Sequence, residues 1–139
     1  MAISMESIKT LRESTGAGMM DCKKALEATN GDVEKAIDWL RENGVIKASK
    51  KASRIAAEGL CAISVCGNTA AIVEVNAETD FVAKNDLFKS LVKTVADLVA
   101  ANAPVDMDAA NAIKTEEGTI ADLVVNAIAR IGEKISFRR

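Results

Sequence analysis

A chain of 139 residues has room for one ordinary domain, or for a small domain followed by a medium one. With 49% hydrophobic residues but only 3% aromatic, its core has to be built from Ala, Val, Ile and Leu, and a single proline beside 27% charged residues excludes a disordered chain. The formal charge of -2 excludes a global basic field for nucleic acid, and no run of about 18 apolar residues offers a membrane span.

The first predicted element is a helix with Ser4 as N-cap and Ile3, Ile8, Leu11 and Arg12 near one face. Thr15-Gly16-Ala17-Gly18 breaks it. A second helix spans about Met19 to Thr29, with Met19, Cys22, Ala25 and Leu26 as its inner stripe, and Asn30-Gly31 ends it. Asp32 caps a third helix, Val33 to Asn43, with Val33, Ala36, Ile37 and Leu40 inward and Gly44 closing it. Residues 1-44 are thus expected to form a three-helix bundle. Residues 45-57 carry Lys47, Lys50, Lys51 and Arg54 with no acid and are expected to be a basic helical linker.

The period then changes. Leu60 to Cys66 alternates, Gly67-Asn68 marks a turn, and Thr69 to Asn76 is rich in Ala, Ile and Val, the pattern of a hairpin. Glu78 to Val82 is predicted as a loop. Asn85 or Asp86 caps a long helix carrying Leu87, Phe88, Leu91, Val92, Val95, Leu98 and Val99, which stops before Pro104. A short turn at 106-112, a helix from Thr119 to Ile131 ended by Gly132, and a last strand over Lys134 to Arg139 complete residues 58-139. That region reads as a small antiparallel sheet packed with helices, which makes the chain α+β.

Little of this suits chemical catalysis. There is no His and no Tyr, so the usual general bases are missing, and no phosphate-binding G-x-x-x-x-G-K-[ST] occurs. Glu78 and Asp80 make a poor cation site, because hard cations want more oxygen ligands. Cys61 and Cys66 lack a second pair for zinc and are expected as small core residues on the strands. No catalytic residue, metal or cofactor is expected. An odd number of cysteines, with no long apolar run at the N-terminus, suits a reducing cytoplasm.

Two local features stand out instead. Met19 and Met20 are neighbours on a helix and point about 100° apart, so both cannot serve one core, and an exposed Met makes an adaptable contact. Phe81 follows a carboxylate in a predicted loop, where it either plugs the core or protrudes as a wedge.

The residues around these features carry a resemblance. The run Arg12-Glu13-Ser14-Thr15-Gly16-Ala17-Gly18-Met19-Met20-Asp21-Cys22-Lys23-Lys24-Ala25-Leu26 resembles the N-terminal signature of the elongation factor Ts family. Val73 through Lys84, centred on Glu78-Thr79-Asp80-Phe81-Val82, and the closing Ile131 through Arg139 are similar to two further signatures. The resemblance implies a ubiquitin-associated-type three-helix domain followed by the N-terminal half of an exchange core. It implies elongation factor Tu as partner, with GDP or GTP and magnesium held by that partner. It also implies partner-binding roles for Arg12, Met19, Met20, Thr79, Asp80, Phe81, Val82 and Ile131. Of these, Asp80 and Phe81 would intrude between two helices near the partner's Mg²⁺ and phosphate site. Longer family members carry a second core half, which the chain ending at Arg139 does not include.

The implied function is guanine-nucleotide exchange in the cytoplasm, with no membrane and no direct nucleic-acid contact. Self-association is compatible with the sequence. The alternative is a ubiquitin-binding adaptor, since Ala25 through Leu40 resembles ubiquitin-associated domains generally; such domains do not account for the Thr79-Asp80-Phe81-Val82 block. An RNA contact at Lys47 to Arg54 is the weakest reading, because four charges come without interleaved aromatics.

Overall fold

The computed structural model describes residues 3–139. They fall into two compact units, Met1–Lys50 and Lys51–Arg139.

The first unit is helical. In α1 (Met5–Thr15) the Ser4 hydroxyl accepts from the Ser7 amide at 3.0 Å, the expected N-cap, and Gly16 closes the C-terminus. Helix α2 (Met19–Ala28) buries Cys22, Ala25 and Leu26 against Ile8 and Leu11 of α1. Ala36 of α3 (Val33–Lys51) completes that core, with Val33, Ile37, Trp39 and Leu40 packed around it. No large aromatic is fully buried here, so small side chains let the helices approach closely, as the composition requires.

Helix α3 does not stop at Gly44. Glycine ends a helix only when the next stretch leaves it, and Ala48, Lys47, Lys50 and Lys51 are good helix formers. The helix therefore runs through a buried Gly44 to Lys51, and the Lys47 ammonium pairs with Asp21 of α2 at 2.7 Å. Residues read as a separate linker are thus in part the last turns of α3.

The second unit opens with the hairpin β1 (Glu58–Cys66) and β2 (Thr69–Ala77), with Ile63 opposite Ile72. Next come α4 (Asp80–Ala83), α5 (Asp86–Asn102) and α6 (Met107–Asn111), then the two-residue strands β3 (Lys114–Thr115) and β4 (Gly118–Thr119). Helix α7 (Ile120–Ile131) and strand β5 (Ile135–Phe137) finish it. The sheet order is β1-β2-β5, all antiparallel.

One face of this sheet is covered. Val73, Val75 and Ala77 of β2 are buried, as are Phe88, Leu91, Val92, Val95 and Ala96 of α5. Ala62 and Ser64 of β1 share the covered face, where Ser64 donates to Asp97 of α5 at 2.6 Å. Their small size lets the helix sit close. The bulkier alternate residues Ile63, Val65 and Ile72 point the other way and are exposed. Cys61 and Cys66 are exposed too, not core residues as expected: Cys61 lies on the uncovered face and Cys66 at the hairpin end.

Gly59 is a fixed requirement of this hairpin. At φ 147 its Cα sits so close to β2 that a Cβ would lie 2.2 Å from the Val75 carbonyl oxygen. Among the described residues no helix is long and apolar enough to cross a membrane.

Candidate partner-binding surface

In the first unit, the turn between α1 and α2 gathers three of the sequence-derived residues. Arg12 lies in the last turn of α1 and is exposed. Met19 and Met20 open α2, and both stand out of the fold, at 50% and 64% exposure. Met19 was expected on the inner stripe. Met19, the first residue of α2, is instead exposed, and the buried residues of the helix begin at Cys22. The result is two exposed, flexible apolar side chains at the start of α2 and an exposed guanidinium near the end of α1.

The second unit presents Phe81. Its ring is 82% exposed, whereas Phe88 is fully buried. Phe81 sits on α4, a single helical turn where a loop was expected; four residues are too few to show a helical period in sequence. The turn forms because Thr79 is extended and its hydroxyl accepts from the Val82 amide at 3.4 Å. Asp80 opens the turn and, among the described residues, pairs with Lys84 at 3.2 Å, both side chains being largely in water. An exposed pair of that kind is worth about 0–1 kcal/mol, so Asp80 is free to exchange its partner. Val82 and Thr79 are both half-buried.

Two acids that sequence reasoning did not single out as functional hold this turn. Glu133 accepts from the Thr79 amide at 3.0 Å and from the Thr79 hydroxyl at 2.8 Å. Glu78 accepts from the Lys134 amide at 2.7 Å and from Arg54 at 3.3 Å. The Lys134 N–H, and after it Arg54, holds the Glu78 carboxyl below the usual carboxylate range. Glu133 reaches Thr79 because Gly132 ends α7 at φ 86, a conformation that turns the chain back toward β2 and strongly favours glycine. Nothing local in the sequence announces contacts between segments so far apart; the only hint is that each acid adjoins a turn residue.

Ile131, the last residue of α7, is half-buried. It lines a groove of about 440 Å³ between α5 and α7 together with Leu87, Leu91 and Leu123, with Glu116, Glu117 and Arg130 among its polar residues. Among the described residues, no three His, Cys, Asp or Glu side chains are grouped so as to hold a metal ion. The α4 turn offers a protruding ring, a carboxylate in an exposed ion pair and a hydrogen-bonded cap.

Comparison with known proteins bears on both units. Residues 78–139 match the family described as Elongation factor TS, and residues 6–40 match the UBA/TS-N domain. Over 138 residues the chain is 56% identical to Elongation factor Ts of Pediococcus pentosaceus, an alignment covering 99% of this chain and 47% of that relative. The chain therefore spans about half the length of the curated relative it matches. With the two family matches following one another along the sequence, and more than half of the aligned positions identical to that relative, this chain belongs to the elongation factor Ts family.

Proposed function

We propose that this chain is the GTPase-gripping portion of a cytoplasmic translation elongation factor, which binds elongation factor Tu and promotes release of its GDP. The observation that carries the reading is the 82% exposed Phe81 ring on a capped and braced turn. A phenylalanine held in water gains nothing for its own fold, and burying it in a partner is worth roughly 1.5–3 kcal/mol. In this reading Phe81 is a wedge, and Asp80 gives up Lys84 to hold the displaced state of the partner. Val82 and Ile131 flank the wedge, and Thr79 supports it from below. Arg12, Met19 and Met20 form a second point of attachment.

The action is coupled binding, not chemical catalysis. If the chain prefers the nucleotide-free GTPase, it weakens GDP binding by the same factor as GDP weakens its own. Opposing GDP about 10⁴-fold needs about 5.5 kcal/mol of differential contact, more than one ring supplies. Loss of Mg²⁺ and phosphate contacts in the partner has to make up the difference. The chain itself then needs no cofactor; nucleotide and magnesium belong to the partner. A ubiquitin-binding adaptor would engage residues 6–40 and leave the family match over residues 78–139 without a role.

The test is release of a fluorescent GDP analogue from elongation factor Tu. The expected result is faster release with rising chain concentration, to a plateau; release that stays at the spontaneous rate contradicts the proposal.

A further inference from the structure

A wedge works only if it stays put when a partner presses on it. Phe81 rides on four helical residues, and a turn that short is unstable alone because nucleating a helix fixes many backbone angles for few hydrogen bonds. Something outside α4 has to hold it.

The two connections on either side do so reciprocally. Glu78, just after β2, takes the amide of Lys134 at 2.7 Å; Glu133, just before it on the other connection, takes the amide of Thr79 at 3.0 Å. Each acid thus binds the backbone of the residue next to the other acid. Glu133 uses both oxygens on Thr79, Oε1 for the amide and Oε2 for the hydroxyl, which fixes the carboxylate plane relative to the cap. The Thr79 hydroxyl, held by Glu133, in turn accepts from the Val82 amide. Arg54 on Glu78 and the Lys134 ammonium on the Ala52 carbonyl, at 2.8 Å, secure the other end. The brace ties the start of α4 to the end of α7, so Phe81 and Ile131 are held in register.

We propose that Glu133 is a positioning residue for nucleotide exchange: through Thr79 it fixes the α4 turn, and the turn holds Phe81 outward. This rests on the exchange reading given above. The brace serves a turn whose exposed ring adds nothing to the core, which a purely structural contact would not need to do.

The test compares the full wild-type chain with Glu133→Ala, Glu133→Gln, Phe81→Ala and the double variant Glu133→Ala/Phe81→Ala. Release of the GDP analogue from elongation factor Tu and amide hydrogen exchange in the free chain are both measured. Glu133→Ala is expected to slow stimulated release about tenfold (1.4 kcal/mol). It is expected to speed exchange of the Thr79 and Val82 amides while leaving Val73 and Val75 protected. Combined with Phe81→Ala it should slow release no further, since it acts through that ring. Glu133→Gln should recover part of the rate, because its amide oxygen still accepts from the Thr79 N–H. Additive slowing in the double variant, or Thr79 and Val82 amides as protected as in wild type, overturns the proposal.

Should Glu133→Ala also expose Val73 and Val75, Glu133→Gln decides: a rate between wild type and Phe81→Ala supports the brace, and a wild-type rate overturns it. An inactive wild-type chain removes the exchange reading and this role together, whereas an active wild type with an equally active Glu133→Ala removes the role alone.

Discussion

At the scale of residues, two phenylalanines on neighbouring elements have opposite tasks. Phe88 is fully buried under the sheet and Phe81 is 82% exposed. Phe88→Ala is expected to cost about 3–5 kcal/mol, the transfer term plus the cavity left behind. Phe81→Ala should stay within about 0.5 kcal/mol, because it removes no internal contact of note. Urea denaturation followed by far-UV circular dichroism separates the two; comparable losses would mean that the Phe81 ring is part of its own core. The three cysteines divide in the same way. Burial pushes the Cys22 thiol up, so it should resist a thiol reagent in the native chain. Cys61 and Cys66 are exposed and should react. Two rapid equivalents, with the third released only by denaturant, is the expected titration.

Elements differ in how far sequence foretells them. The α5 helix was plain, because Phe88, Leu91, Val92 and Val95 repeat at helical spacing and Asn85 caps it, its side chain accepting from the Leu87 amide at 2.8 Å. The hairpin was plain as well, since alternation and Gly67-Asn68 both indicate it. Gly44 misled, because a glycine followed by helix formers, with Lys47 held by Asp21, stays inside a helix. The short α4 turn was too brief for any period, and its brace joins residues far apart in sequence. So the exposed methionines and the Phe81 turn could be suspected from sequence, but not what holds the turn.

Two carboxylates of the second unit also set a pH dependence. Glu78 is held below its usual 4.5, first by the Lys134 amide. Asp97 is held below its usual 3.8, by Lys93 and then Ser64. A depressed carboxylate contributes stability that is fully present above its unfolded pKa and is lost as pH falls through the folded value. The second unit should therefore be insensitive to pH above about 5 and weaken progressively below the usual values of these two groups. Unfolding midpoints in urea at pH 6 and pH 3 test this. Glu78→Gln should show a smaller drop between them than wild type, and an equal drop would assign the acid sensitivity to other groups.

For the whole molecule, the candidate partner contacts lie in both units: Met19 and Met20 in the first, Phe81 in the second. Binding and exchange should accordingly be separable. In the proposed reading the methionines and Arg12 would attach, while the ring would work against the nucleotide. The uncovered sheet face bearing Ile63, Val65 and Ile72 belongs to neither contact.

Separation of these roles is tested most directly by titrating Phe81→Ala against elongation factor Tu loaded with a fluorescent GDP analogue, with binding to the nucleotide-free GTPase measured in parallel. The expected outcome is a variant that folds and still binds but whose maximal release rate falls at least about tenfold, the loss of at least 1.4 kcal/mol of differential contact. A maximal rate equal to that of the wild-type chain would contradict the account.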